Sequence, residues 1–211
     1  MRRVLAVLLT ICAAAVCCFF AVPLNGRRTD AYPAAAVFAE STADMDGDGI
    51  GDRRDFLEGA LKYVQGRPRY KSKYYSTGYP DDGYGTCTDV VGFGMRAAGY
   101  DLQEMVDADR QAHPGEYADE PIDRNIDFRR VRNLKVFFGR YAEQHGLDLY
   151  QIDDWQGGDI VIFRNHIGVV SDRRNPRGVP YVIHHSGFPQ MFYEEDILER
   201  RHDLEMHVRL P

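Results

Sequence analysis

Three of the four cysteines, Cys12, Cys17 and Cys18, fall in an apolar run near the start, which leaves Cys87 alone in the remaining sequence. A disulfide within the folded part is therefore excluded. An unpaired exposed thiol is a liability in an oxidising compartment, so Cys87 is either buried filler or kept for its reactivity. Positive charge is also scarce: 26 Lys and Arg stand against 32 Asp and Glu, a formal net charge of −6. Residues 1–39 hold four Arg against one Asp, so the rest of the chain is more acidic still. That excludes the basic footprint of nucleic-acid binding, and no nucleic-acid partner is expected. No internal repeat is present, and 44% hydrophobic with 27% charged residues is ordinary globular usage. The 211 residues suit one domain with a real core, expected to be a monomer.

What is present begins with export. Arg2 and Arg3 precede an almost unbroken apolar run from Val4 to Leu24. A basic start followed by a hydrophobic stretch is the layout of an export signal, and the run is about long enough to span a bilayer. Residues 1–24 therefore read as a signal peptide or signal anchor. The expected location is outside the cytoplasm, secreted or tethered to the membrane by this segment. Residues 25–43, with Gly, Arg, Pro and Ala and no periodicity, read as a tether.

The rest divides by period. Phe56, Leu57, Ala60, Leu61 and Val64 lie on one helical face within Asp55–Gln65, ended by Gly66 and Pro68. Tyr70 to Tyr84 reads as a long tyrosine-rich surface loop. A helix is expected from Cys87 to Ala98, with Thr86 as its N-cap and Gly99 as its stop. Gly92 and Gly94 inside it point to close packing against a neighbour. Further helices are expected over Leu102–Asp107 and Val131–His145. Period two then takes over in Asp159–Phe163, Ile167–Ser171 and Val179–Ile183, with Met206–Leu210 as an edge strand. Helices followed by strands predict an α+β domain, N-terminal helices on a small antiparallel sheet, over residues 56–211.

Cys87 stands where a glycine-containing loop enters a helix. Free N–H groups and the helix dipole at that end are expected to lower the thiol pKa and to hold an oxyanion. His166 opens a strand and would serve as base. His184 and His185 lie on the next strand, and only one of the two can face Cys87. That residue would orient the His166 ring. Taken alone, a lone Cys is more often core filler and a lone strand His more often structural. The conjunction of unpaired Cys, helix start, strand His and export signal favours chemistry. Asp89, in the first helical turn, reads as structural.

A second signal precedes the domain. In residues 44–55, Asp44, Asp46, Asp48, Asp52 and Asp55 occupy positions 1, 3, 5, 9 and 12 of an EF-hand-type loop. Gly49 stands at position 6 and the Ile50 carbonyl at position 7. Carboxylates this close repel unless a cation sits among them. A solvated acidic turn is the plain alternative. A single structural Ca²⁺ loop is expected, and no cofactor for catalysis.

Several runs together resemble a known family: Gly85 to Val91, Asn125 to Val131, Trp155 to Val161, His166 to Asp172, and Val182 to His185. They look like the YijF-like domain family of unknown function, grouped with the NlpC-type papain-like cysteine peptidases. The resemblance covers roughly Asp55 to Glu195. It implies a papain-like fold and a cysteine hydrolase, an amidase or peptidase acting on cell-wall peptidoglycan peptides. Cys87 would be the nucleophile and His166 the base. The third member is a His, Asn or Gln on the next strand, which matches His184. Many relatives place Asn where His185 stands, so His185 is the alternative third member. An inert envelope-binding module and a thioester acyltransferase are the competing functions.

Overall fold

The computed structural model describes residues 38, 40–118 and 120–211. The expected signal segment and most of the tether lie outside the described residues. Among those described, no helix is long and apolar enough to cross a membrane. The end of the tether is docked: Phe38 packs on the core under the Arg54 guanidinium, and Ser41 Oγ donates to the Pro211 carbonyl.

The protein is α+β. Among the described residues five α-helices precede the main sheet: α1 (Asp52–Gln65), α2 (Cys87–Ala97), α3 (Leu102–Ala112), α4 (Arg124–Asp127) and α5 (Val131–Tyr141). Two short strands, β1 (Arg69–Tyr70) and β2 (Tyr84–Gly85), pair in parallel at the ends of the tyrosine-rich loop. The main sheet holds β3 (Glu143–Gln144), β4 (Ile160–Phe163), β5 (His166–Arg174), β6 (Pro180–Ile183), β7 (Glu194–Glu195) and β8 (Leu204–Arg209). Its order is β3-β8-β4-β5-β6-β7, and every pair is antiparallel.

Three expectations are corrected. The helix at Val131 stops at Tyr141, because Glu143 and Gln144 leave it to pair with β8. The helix at Leu102 runs on to Ala112, well past Asp107. The last strand is not at an edge: β8 lies between β3 and β4.

Strand alternation divides the interior. Ile160, Ile162, Ile167, Val169, Ile183 and Val208 face the helices, where they meet Phe56, Val90, Met95, Leu134 and Phe138. Val161, Phe163, Val170 and Val182 face the other way, onto Trp155, Ile197 and Leu198. The close packing expected of the α2 glycines is present. A Cβ on Gly94 would lie 2.9 Å from the Phe56 ring, and one on Gly92 would lie 3.2 Å from Tyr79. Helix α2 ends as predicted at Gly99, whose φ of +80° suits glycine. Tyr100 N–H donates to the Met95 carbonyl and Gly99 N–H to that of Arg96, a Schellman closure.

Candidate active site

The approach to Cys87 is tightly built. A Cβ on Gly85 would lie 1.9 Å from the Tyr63 hydroxyl, so the residue must be glycine. Thr86 caps α2, and its N–H donates to Asp89 Oδ2 at 2.7 Å in a capping-box arrangement. Asp89 is fully buried and receives both arms of Arg129, Nε to Oδ1 at 2.6 Å and Nη2 to Oδ2 at 2.9 Å. Arg129 Nη1 also donates to the Lys73 carbonyl at 2.7 Å. Asp89 is thus structural, as expected. The 125–131 motif is explained by Arg129, which clamps the tyrosine-rich loop to the first turn of α2.

Cys87 is the first residue of that helix, and 8% of its surface is exposed. The expected low thiol pKa is not found. Burial pushes the thiol up to about 11, against the opposing pull of the Ile167, Thr88 and Cys87 N–H groups, and the Asp89 charge adds to the rise. Desolvation outweighs the helix end because Cys87 is buried in the core cluster that also holds Ile167, Val169 and Ile183.

His166 opens β5. Its Nε2 lies 3.0 Å from His184 Nδ1, with the two rings perpendicular. His184 continues the line: its Nε2 is 3.2 Å from a Glu195 carboxylate oxygen, and its N–H donates to the Tyr193 carbonyl at 2.8 Å. The Gln190 amide donates to the His184 carbonyl at 3.0 Å and lies 3.4 Å from the ring Nε2. Gly168 makes room for this pair, since a Cβ there would lie 3.2 Å from His184 Cβ. Burial, then the neighbouring His184, holds the His166 imidazole down at about 3, so the ring is neutral at pH 7.

The two adjacent histidines diverge, as strand parity requires. His184 joins His166, so the residue that meets the ring is not the one that faces Cys87, contrary to expectation. His185 turns to the Cys87 side, edge-on to Tyr70 with ring centroids 5.2 Å apart, and Tyr193 lies at 5.1 Å. Burial lowers His185 to about 4 despite the Asp89 charge, and its Nδ1 is buried without a hydrogen-bond partner. Tyr70, about half exposed, senses the Cys87 charge after its own burial, which places it at the mouth of the site. Of the tyrosine-rich loop, Tyr70 therefore lies beside His185 and near Cys87, while Tyr75 and Tyr79 are buried.

One spatial expectation needs correction. By register His166 pairs with Phe163 and shares its face, whereas Cys87 packs with the residues of the opposite face. The thiol meets His166 across the 166–167 peptide, from which the Ile167 N–H favours the thiolate, and not face to face. Sulfur and ring are not hydrogen-bonded to each other among the described residues. With Nε2 engaged by His184, Nδ1 is the ring nitrogen left for a thiol.

The 155–161 motif, by contrast, is structural. Asp159 is fully buried and accepts from His207 Nε2 at 2.7 Å and from Arg209 Nε at 2.6 Å, which fastens β8 to β4. In the acidic loop, Asp44, Asp46 and Asp48 converge, with one oxygen of each within 4.8 Å of the others. Asp52 turns away, accepting from Met45 N–H at 2.8 Å and from the Tyr100 hydroxyl. The Ile50 N–H donates to Asp48 Oδ1, and Asp55 is buried beneath the loop.

Residues 57–210 match the family model described as domain of unknown function DUF1287. The chain belongs to the DUF1287 family. Its motifs at Cys87, His166 and His184 all lie inside that match. An uncharacterized protein of Escherichia coli strain K12, YijF, is 37% identical over 140 residues, covering 62% of this chain and 67% of YijF. No solved structure matches the DUF1287 chain.

Sequence reasoning missed Glu195 and Gln190. Gln190 lies within the loop of 186–192 and Glu195 just beyond it, both brought back beside His184, and neither lies in a motif. The one signal was a glutamate pair in a short β-run, and this is also what a solvated edge strand looks like.

Proposed function

We propose that the protein is an exported cysteine hydrolase, an amidase or peptidase of the papain-like NlpC type, acting on peptidoglycan peptides. The observation that carries this reading is the 3.0 Å contact of His166 Nε2 with His184 Nδ1, beside the helix end that holds Cys87. A thiol, an imidazole and a polar orienter on the next strand form the arrangement of nucleophilic catalysis.

The line from Glu195 sets the protons. A carboxylate at 3.2 Å outweighs a neutral amide at 3.4 Å, which favours the His184 tautomer that donates from Nε2 to Glu195. His184 Nδ1 is then bare and accepts from His166 Nε2–H. His166 Nδ1 is bare in turn and is the general base. Thiol and imidazole rest as a neutral pair. As sulfur attacks the amide carbon, its proton passes to His166 Nδ1, the carbonyl oxygen becomes an oxyanion, and the N–H groups at the start of α2 stabilise it. His166 then gives the proton to the leaving amine, and water hydrolyses the thioester. Apo geometry is commonly looser than that of the substrate complex, and this step requires the sulfur to reach Nδ1 round the start of β5. Attack of an amine on the same thioester would make the enzyme an acyltransferase.

Digestion of purified muropeptides by the full chain, wild type beside Cys87→Ser, tests the proposal. Product from the wild type alone supports it. Equal product from both would remove Cys87 as nucleophile. The buried, neutral thiol favours one second reading, an inert envelope-binding cleft. That reading predicts muropeptide binding with no cleavage by either protein.

A further inference from the structure

We propose that residues 44–55 form a Ca²⁺ site in which the carboxylates of Asp44, Asp46 and Asp48, the Ile50 carbonyl and Asp55 Oδ2 hold the ion. The loop precedes the DUF1287 match, so neither the family nor the hydrolase reading assigns it a role.

The converging aspartates would not carry this alone, because exposed acidic turns are common. The second observation is Asp55. It stands at position 12 of the loop and is 8% exposed, and its Oδ2 is fully enclosed with no hydrogen-bond partner. A buried carboxylate oxygen left without a donor costs about 1–3 kcal/mol or more. Here it also faces like charge, from Asp48, Asp46, Glu58 and Asp44. Four carboxylates on one side of a helix start, one of them desolvated, are repulsive unless a cation lies among them. The donors are all hard oxygens, which suits Ca²⁺ over Zn²⁺ or Cu²⁺. A flexible loop with a carbonyl ligand suits Ca²⁺ over Mg²⁺, which demands a stricter octahedron. Asp52, at the position often filled through water, stays engaged with Met45 and Tyr100.

The ion would matter to the candidate active site through packing. Asp46 rests against Gly99, where a Cβ would lie 3.0 Å from Asp46 N, and Gly99 ends the helix that begins with Cys87. Asp55 lies in α1, which packs on the same helix. A bound ion thus ties the loop to both helices.

Thermal unfolding of the chelator-stripped full chain tests the site. Melts are recorded in EGTA and in about 5 mM CaCl₂ or MgCl₂, above the roughly 0.1–1 mM dissociation constants of extracellular calcium modules. Calcium is expected to raise Tm by about 3 °C or more, and magnesium by clearly less. Asp44→Asn, on the exposed loop, should melt near the wild type in EGTA and lose the calcium shift. Asp55→Asn should lose it too, with an EGTA melting point at or above that of the wild type. Identical wild-type melts in EGTA and CaCl₂ would overturn the site. A full calcium shift in Asp44→Asn would do the same, and an equal rise with magnesium would overturn the choice of ion.

Discussion

His184 Nε2 lies 3.2 Å from Glu195, while its Nδ1 meets His166, so one imidazole couples a buried carboxylate to the proposed base. Glu195→Gln keeps the shape and removes the charge that fixes the His184 proton. Muropeptide turnover is expected to fall at least ~10-fold, because the wrong tautomer of an orienting group disables the base. His184→Ala should lose about 100-fold or more. The check is kcat against KM: a fall in kcat with KM little changed marks a proton-positioning role.

The Cys87 thiol and the His166 ring are both neutral at pH 7, and this has a direct readout. Alkylation of Cys87 by iodoacetamide should be slow at pH 7 and climb through pH 9 towards a midpoint near 11. Rates are compared by mass spectrometry across pH, with a small thiol as standard. A plateau reached below pH 7 would show a resting ion pair instead.

Acid should destabilise the fold before its carboxylates titrate. His166 takes up a proton near 3 in the folded chain and near 6.5 when unfolded; His185 does so near 4 and 6.5. Between those values the unfolded chain binds more protons, so stability rises with pH. The contribution of both rings is complete above about 6.5 and is lost as pH falls from there towards 4 and 3. Urea midpoints should therefore drop between pH 7 and pH 5. The drop should shrink in His185→Phe, which removes one of the two groups.

Arg129→Met should strand the Asp89 carboxylate. Both side chains are almost wholly buried, and breaking such a pair from one side costs about 3–5 kcal/mol. Urea unfolding measures the loss. The double variant Asp89→Asn with Arg129→Met should recover part of it, since no charge is then left unpaired.

Much of this was legible from local chemistry. The N-cap at Thr86, the stop at Gly99 and the close packing of the α2 glycines are one-dimensional signals with one physical solution each. Strand parity foretold that His184 and His185 diverge. The thiol pKa was not legible. The sequence shows a helix end that favours the thiolate, but the burial that reverses it comes from β5 and β6, some eighty residues and more along the chain. Glu195 was hidden for a related reason: its partner is set by a loop that folds back, and no periodicity encodes that return. The place of β8 was missed because a strand's neighbours are a property of the whole sheet.

That last point bears on biosynthesis. β4 cannot complete its hydrogen bonding on one side until residues 204–209 have left the ribosome and slid in beside it. Until then a cleft stands open between β3 and the β4–β5 hairpin, and the apolar side chains of Ile160 and Ile162 lack a neighbouring strand. A nascent chain that lacks β8 thus offers an unpaired strand edge to holdase chaperones, and the proposed activity must wait for residues 204–209.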